Sequence, residues 1–136
     1  MKHFYLLLLL IPFCRMVAQD SRQSRQSEID SLRNRIAITE GKEKLEAYGS
    51  LSSLYWGEVR DEHKRDTLLA IYREYDAEAE RQHNHKRRAG IKANILTMFD
   101  NALLFDEVIR RAPETIKSYP KWIAEAPLST NHIAPW

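Results

Sequence analysis

Four amphipathic segments limit what this chain can fold into, and the clearest of them spans residues 42–57. When its residues are placed 100° apart, as in an α-helix, the large apolar side chains fall on one side and the charged ones on the other. A lone helix of this kind is unstable in water, because its apolar side needs a partner. That side carries Leu45, Tyr48, Leu51, Tyr55 and Trp56.

Three further segments, at residues 28–37, 61–82 and 86–102, repeat this spacing and predict an all-α fold. We expect Thr39 to cap the second helix, Asp61 to cap the third, and a break at residues 82–85. Residues 105–111 predict one more short helix, and Pro113 suits the first position of another. The apolar positions of the three segments are Ile29, Leu32, Ile36, Leu68, Ile71, Tyr72, Tyr75, Ala79, Ile91, Ile95, Met98, Phe99 and Ala102.

Residues 1–18 have the order of a cleavable signal peptide. Lys2 precedes an apolar run at residues 4–13, and the small residue Ala18 marks the expected cut. Because this run is about half as long as a membrane-spanning helix, the mature chain is expected to have no span and to be periplasmic or secreted. A lipid anchor on Cys14 is the alternative, which the bulky neighbour Phe13 disfavours.

The expected cut also sets the boundaries and the charge of the mature chain. Residues 19–27 carry no apolar side chain and predict a flexible leader, followed by a helical-repeat domain at 28–126 and an irregular tail at 127–136. Of the 21 basic residues, Lys2 and Arg15 leave with the signal peptide, so 19 remain against 19 acidic ones. A neutral mature chain is not expected to bind nucleic acid.

Two stretches, IDSLRNRIAITEGKEKLEAYGSLSSLYW from Ile29 and DEVIRRAPETIKSYPKW from Asp106, flank the long third helix. An offset of 44 residues pairs similar types of residue, such as Gly49 with Ala93. With the signal peptide, this order resembles the tetratricopeptide-like sensor region at the front of exported Bacteroidetes-type histidine kinases and regulators. The resemblance implies antiparallel helical hairpins, an α-solenoid fragment, and a protein or peptide partner. A truncated, inactive copy of such a sensor is an alternative interpretation.

Motifs for catalysis are missing from the sequence, including G-x-S-x-G, a glycine-rich phosphate loop and H-E-x-x-H. We therefore predict a non-catalytic chain with no cofactor and no metal site. A small envelope enzyme or metal carrier using His63, His83 and His85 is the less favoured alternative, because Arg87 and Arg88 would repel a cation at the last two.

Aromatic side chains are the candidate contacts for a partner, because helical-repeat scaffolds bind peptides along a concave face with aromatic anchors. Most of these side chains lie within apolar stripes and are expected in the core. Trp56, at the edge of its stripe, and Trp122, in a proline-punctuated stretch, are the two expected to contact a partner. The sequence thus predicts an exported scaffold that acts as a protein-interaction or sensor module.

Overall fold

Five α-helices follow one another in the part of the chain that the structure describes. A computed structural model gives the backbone of residues 2–125 and the side chains of residues 20–119. Within these limits no strand occurs, which confirms the all-α prediction; the tail expected at 127–136 lies outside them. The elements are α1 (Lys2–Ile38), α2 (Gly41–Tyr55), a 3-10 turn (Trp56–Glu58), α3 (Glu62–Arg81), α4 (His85–Asn101) and α5 (Phe105–Glu125).

Extensive helix packing in the described chain joins only helices that are consecutive in sequence, from α1 against α2 to α4 against α5. Helix α3 therefore packs against both α2 and α4, and α4 packs against both α3 and α5. The largest fully buried side chains come from the three central helices, so that one core runs through them. They are Tyr72, Leu45, Leu68, Ile91 and Met98.

The apolar stripes that define the four predicted segments form this core. All five stripe positions of α3 are buried, and so are four of the five on α2. The fifth, Trp56, is half-buried and packs against the core from its edge, as do Leu32, Ile36 and Ile95. Helix periodicity therefore identified the buried faces correctly. No helix of the described chain is long and apolar enough to cross a membrane.

Helix α1 begins earlier than the apolar spacing indicates. Residues 19–27, expected to form a flexible leader, lie inside the helix, which is continuous from Lys2 to Ile38. The stretch from Cys14 to Ser27 contains neither glycine nor proline, and arginine and glutamine are good helix formers. The lack of apolar residues therefore did not prevent helix formation there.

Arg25 attaches this part of α1 to the end of α2. Its guanidinium donates to both carboxylate oxygens of Glu58, the longer distance being 3.1 Å, and to the Leu54 carbonyl at 2.6 Å. It also lies 5.7 Å from the centre of the Tyr55 ring. Hydrogen bonding from Arg25 lowers the pKa of the Glu58 carboxyl and raises the pKa of Arg25 itself. A charged, hydrogen-bonded pair thus fixes a helical stretch that has no apolar stripe.

The two turns that join α3 to α4 and α4 to α5 have the same geometry. Each places one non-glycine residue in the left-handed region, His83 with φ 52° and Leu103 with φ 61°. The next residue then donates its backbone N–H five residues back, which is the Schellman arrangement. These bonds run from Asn84 to Ala79 at 2.8 Å and from Leu104 to Phe99 at 2.9 Å. The predicted break at residues 82–85 is confirmed by the first of these turns.

Helix α5 differs from the prediction, which divided residues 105–125 at Pro113. The structure has a single helix through this proline. Before it, Leu104 and Val108 pack against the core, and after it Thr115 is buried. Packing on both sides stabilises a helix that lacks one backbone hydrogen bond at the proline ring.

The turn between α1 and α2 corrects the role predicted for Thr39. Its hydroxyl donates to the Arg35 carbonyl at 2.7 Å, at the end of α1, and does not cap α2. The residue before α2 is Glu40, whose side chain forms no capping bond. The chain reverses instead at Gly41, which has φ +59°. Asp61, in contrast, caps α3 as predicted, by accepting from the Lys64 N–H at 3.0 Å.

Replacing Gly41 by alanine is expected to lower the free energy of unfolding by about 1 kcal/mol, because the left-handed conformation strains a residue with a Cβ. Gly90→Ala is the matched control, since neither site has any atom within 4 Å of an added Cβ and Gly90 lies within α4. There alanine should raise the free energy of unfolding by about 1 kcal/mol. Urea unfolding followed by circular dichroism measures both, and equal effects of the two changes would contradict this account.

Candidate functional site

An open groove lies between α2 and α4, with α3 as its floor; we call it the α2/α4 groove. It arises because α2 and α4 both pack on α3. Its volume is about 380 Å³, which is within the range of ligand sites. A second cavity of about 400 Å³ adjoins it, with Tyr75, Arg87 and Asn94 lining both. The groove is lined by Gly49, Ser52, Ser53, Trp56, Tyr72, Tyr75, Arg87 and Asn94.

Tyr75 on α3 supplies the most unusual group of the groove. Its side chain is 3% exposed, and its hydroxyl forms no hydrogen bond with any described group. The ring stacks on Tyr48, with the ring centres 5.6 Å apart. A Cβ added to Gly49 would lie 3.4 Å from the hydroxyl, so the small residue at this position leaves room for it. Because buried polar groups are nearly always hydrogen-bonded, this hydroxyl requires an explanation.

Arg87 places a positive charge beside that hydroxyl. The Asn84 side chain begins α4 by accepting from the Arg87 backbone N–H at 2.9 Å, which sets the direction of the first turn. The guanidinium carbon then lies 5.9 Å from the centre of the Tyr75 ring. Arg87 forms no ion pair with a described side chain. Burial raises the pKa of the Tyr75 phenol, and both the Arg87 charge and a side-chain interaction with Arg87 oppose this rise.

The remaining polar groups of the groove are already partly engaged. Burial raises the pKa of Tyr72 to about 12, and interactions with the Ser52 and Asn94 side chains partly offset this rise. The Ser52 and Ser53 hydroxyls both donate to the Gly49 carbonyl, at 2.8 and 3.0 Å. Each hydroxyl oxygen retains lone pairs that can accept a further bond. The groove therefore offers acceptors along α2, a phenol donor on α3 and a cation on α4.

The structure places the two predicted contact residues differently. Trp56 begins the 3-10 turn after α2 and lines the α2/α4 groove, at the edge of the core. For Trp122 only the backbone is described, within α5, and its side chain lies outside the described residues. The groove thus contains one of the two predicted tryptophans.

The three histidines of the metal-carrier alternative do not meet. His63 lies in the first turn of α3, while His83 follows the last turn. With a rise of about 1.5 Å per residue, the length of α3 separates them by nearly 30 Å. The described chain also holds no cluster of three or more histidine, cysteine, aspartate or glutamate residues suited to a metal ion. One site formed by all three histidines is therefore contradicted by this geometry.

The cavities on the other side of the helix layer, between α3 and α5, have a different character. Most of their charged side chains form ion pairs. Arg88 contacts Asp76 at 3.0 Å and Glu80 at 2.7 Å, and Lys92 contacts Glu114 at 3.2 Å. These pairs join the helices and satisfy one another, so the α2/α4 groove is the better candidate for a binding site.

Sequence reasoning missed Tyr75 and Arg87 as site residues. It placed Tyr75 in the core stripe, where its ring is indeed found, but periodicity does not show whether a buried hydroxyl finds a partner. In the sequence, Arg87 is notable only as a charge that would repel a metal ion from His83 and His85. The available signal was Asn84, a good helix-capping residue three positions before Arg87.

Comparison with protein-family models, with curated proteins and with solved structures found no match to this chain. The assignment of a function therefore rests on the α2/α4 groove and on the chemistry of the residues that line it.

Proposed function

We propose that this chain is an exported, non-catalytic helical scaffold that binds an extended segment of a protein or peptide partner in the α2/α4 groove. The observation that carries the proposal is the groove itself, where a buried phenol without a hydrogen-bond partner in the described chain lies beside an arginine that pairs with no described carboxylate. A buried hydroxyl without a hydrogen bond lowers the free energy of unfolding of the free protein. A ligand that accepts a hydrogen bond from this hydroxyl would restore that free energy.

The composition of the groove suits a peptide better than a reaction. Aromatic rings of Trp56, Tyr72 and Tyr75 provide apolar contact surface, and residues of this type dominate binding energy at protein interfaces. The serine and asparagine side chains can exchange hydrogen bonds with a peptide backbone. The lining of the groove includes neither histidine nor a carboxylate that would activate Ser52 or Ser53 as a nucleophile.

Two further parts of the proposal derive from the sequence. Export is supported by Lys2 and the apolar run at residues 4–13, and sequencing the N-terminus of protein recovered from the periplasm should give Gln19. Helices that pack on their neighbours in the chain support a tetratricopeptide-like repeat scaffold, in which the grooves between alternate helices bind partners.

Selection of a random 12-residue peptide library on the purified full chain tests the binding role. We expect enriched peptides that lose at least tenfold in affinity for the Ser53→Tyr variant, whose exposed site on α2 lines the groove. Ser50→Tyr is the matched control, because Ser50 is exposed on the same helix and does not line the groove. Its affinity should equal that of the unmodified chain.

Two results of the peptide selection would contradict the proposal. If the library yields no peptide from a chain whose helical circular dichroism is intact, the groove does not bind extended segments. If peptides bind equally to the Ser53→Tyr and Ser50→Tyr variants, they bind elsewhere. Either result would remove the α2/α4 groove as the partner site.

A further inference from the structure

We infer that the hydroxyl of Tyr75 and the guanidinium of Arg87 together form a subsite for a carboxylate, supplied by an acidic side chain within the bound segment. This inference rests on the proposed function and names the chemistry that the α2/α4 groove recognises. It begins from two groups of the groove: the buried Tyr75 hydroxyl, which donates to no described acceptor, and the exposed Arg87 guanidinium, which forms no ion pair with a described carboxylate.

The Tyr75 hydroxyl defines what the ligand must offer. The phenol is neutral and protonated near neutral pH, because burial raises its pKa. A protonated phenol can donate one hydrogen bond, and here no described group accepts it, so the ligand must supply an acceptor oxygen. Gly49 on α2 lies next to this hydroxyl, since an added Cβ there would come within 3.4 Å of it, so this position of α2 contributes no side chain above the phenol.

Arg87 defines the charge of that acceptor. The guanidinium lies over the Tyr75 ring and has no described carboxylate to pair with, unlike Arg88 on the next position of the same helix. Arginine binds planar oxyanions through two parallel donors. An anion that accepts from both Arg87 and the phenol therefore satisfies both groups at once.

The neighbouring charges favour a single negative charge over a multiply charged anion. Glu46 on α2 is close enough to raise the pKa of Tyr75, so its carboxylate adds a negative potential at the subsite. A phosphate would meet this repulsion with nearly twice the charge. A carboxylate, with one charge and two acceptor oxygens, suits one arginine and one phenol.

The shape of the groove favours a side-chain carboxylate over a chain terminus. Tyr75 and Arg87 line both the α2/α4 groove and the cavity that adjoins it, so open space continues on both sides of the pair. A segment can therefore pass the subsite in both directions. A site selective for a chain end would need to be closed on one side.

The carboxylate subsite can be tested by recording amide and side-chain NMR spectra of the isotope-labelled full chain, with acetyl-Gly-Glu-Gly-amide as the probe. We expect saturable shifts of the Tyr75 and Arg87 signals at millimolar concentration. Acetyl-Gly-Gln-Gly-amide has the same shape without the charge and should bind at least tenfold more weakly. Acetyl-Gly-Gly-Gly with a free carboxylate tests the chain-terminus source, and inorganic phosphate tests the multiply charged anion.

Two variants and one control test whether the glutamate probe binds at Tyr75 and Arg87. Tyr75→Phe and Arg87→Gln should each weaken binding of the glutamate probe at least tenfold. Arg73→Gln removes an exposed arginine that lines the opposite side of α3 and should leave binding unchanged. Because its hydroxyl has no partner, Tyr75→Phe should unfold at a urea concentration no lower than the unmodified chain, which separates lost binding from lost folding.

Equal binding of the glutamate and glutamine probes would overturn the inference, as would tighter binding of the free terminus or of phosphate. Absence of any saturable shift would also overturn it. If library peptides still bind in the groove in any of these cases, the proposed function stands and only the carboxylate subsite falls.

Discussion

Replacing Leu68 by alanine is expected to lower the free energy of unfolding by about 3 kcal/mol. Leu68 on α3 is fully buried, at the centre of the core shared by α2, α3 and α4. The change removes buried apolar groups and leaves a cavity that the surrounding helices fill only in part. Because small domains are stable by only about 5–15 kcal/mol, this is a large fraction of the total.

Urea unfolding monitored by circular dichroism at 222 nm gives this difference for the full chain. Ile109→Ala is the control, because Ile109 lies within α5 with 71% of its surface exposed. It should change the free energy of unfolding by no more than about 0.5 kcal/mol. If Leu68→Ala and Ile109→Ala had similar effects, the core would not be centred on α3.

Alkaline pH is expected to destabilise the fold through its buried tyrosines. The Tyr72 phenol ionises at about 12 in the folded chain, while an unfolded tyrosine ionises near pH 10. The unfolded chain therefore releases this proton first, so the contribution of Tyr72 is complete below pH 10 and is lost as the pH rises towards 12. The loss is about 1 kcal/mol by pH 11 and about 2 kcal/mol by pH 12.

Burial also raises the pKa values of Tyr48 and Tyr75, so both add to the effect in the same direction. Urea unfolding between pH 8 and 11 measures the total loss, and tyrosinate absorbance follows ionisation of the folded chain. The Tyr72→Phe variant isolates one residue. It should be less stable at pH 8, since interactions with Ser52 and Asn94 are lost, yet its stability should fall less with pH. An unchanged pH dependence in this variant would exclude Tyr72 as a cause.

The helices and their buried faces could be predicted because they depend on spacing alone. Leu68, Ile71 and Tyr75 recur on one side of a helix whatever partner covers them, and all three are buried. The cap at Asp61 and the break after α3 are similarly local, since each depends on side chains and backbone groups within a few residues.

The differences arise where distant contacts decide the outcome. Residues 19–27 join α1 although they have no apolar stripe, and Arg25 there pairs with Glu58 from another helix. Pro113 does not end α5, because Val108 and Thr115 on either side of it are held by packing. Neither effect is visible in a local pattern.

The α2/α4 groove was the least predictable feature. The sequence predicts that the rings of Tyr72 and Tyr75, which form its floor, lie in the core, and this is confirmed. The same pattern does not predict which groups their hydroxyls contact. Whether Tyr75 finds a hydrogen-bond partner depends on what α2 and α4 present opposite it, and small Gly49 presents nothing. The location of Trp56 at the edge of the core could be predicted, because the edge of an apolar stripe is recognisable from the sequence.

The bond from Arg25 to Glu58 and to the Leu54 carbonyl also sets how much the N-terminus can be shortened. Proteolytic trimming that stops anywhere before Arg25 leaves this attachment in place. Removal of Arg25 would deprive the Leu54 carbonyl of its charged donor and detach this part of α1 from the end of α2, which makes this arginine the inner limit of tolerated processing.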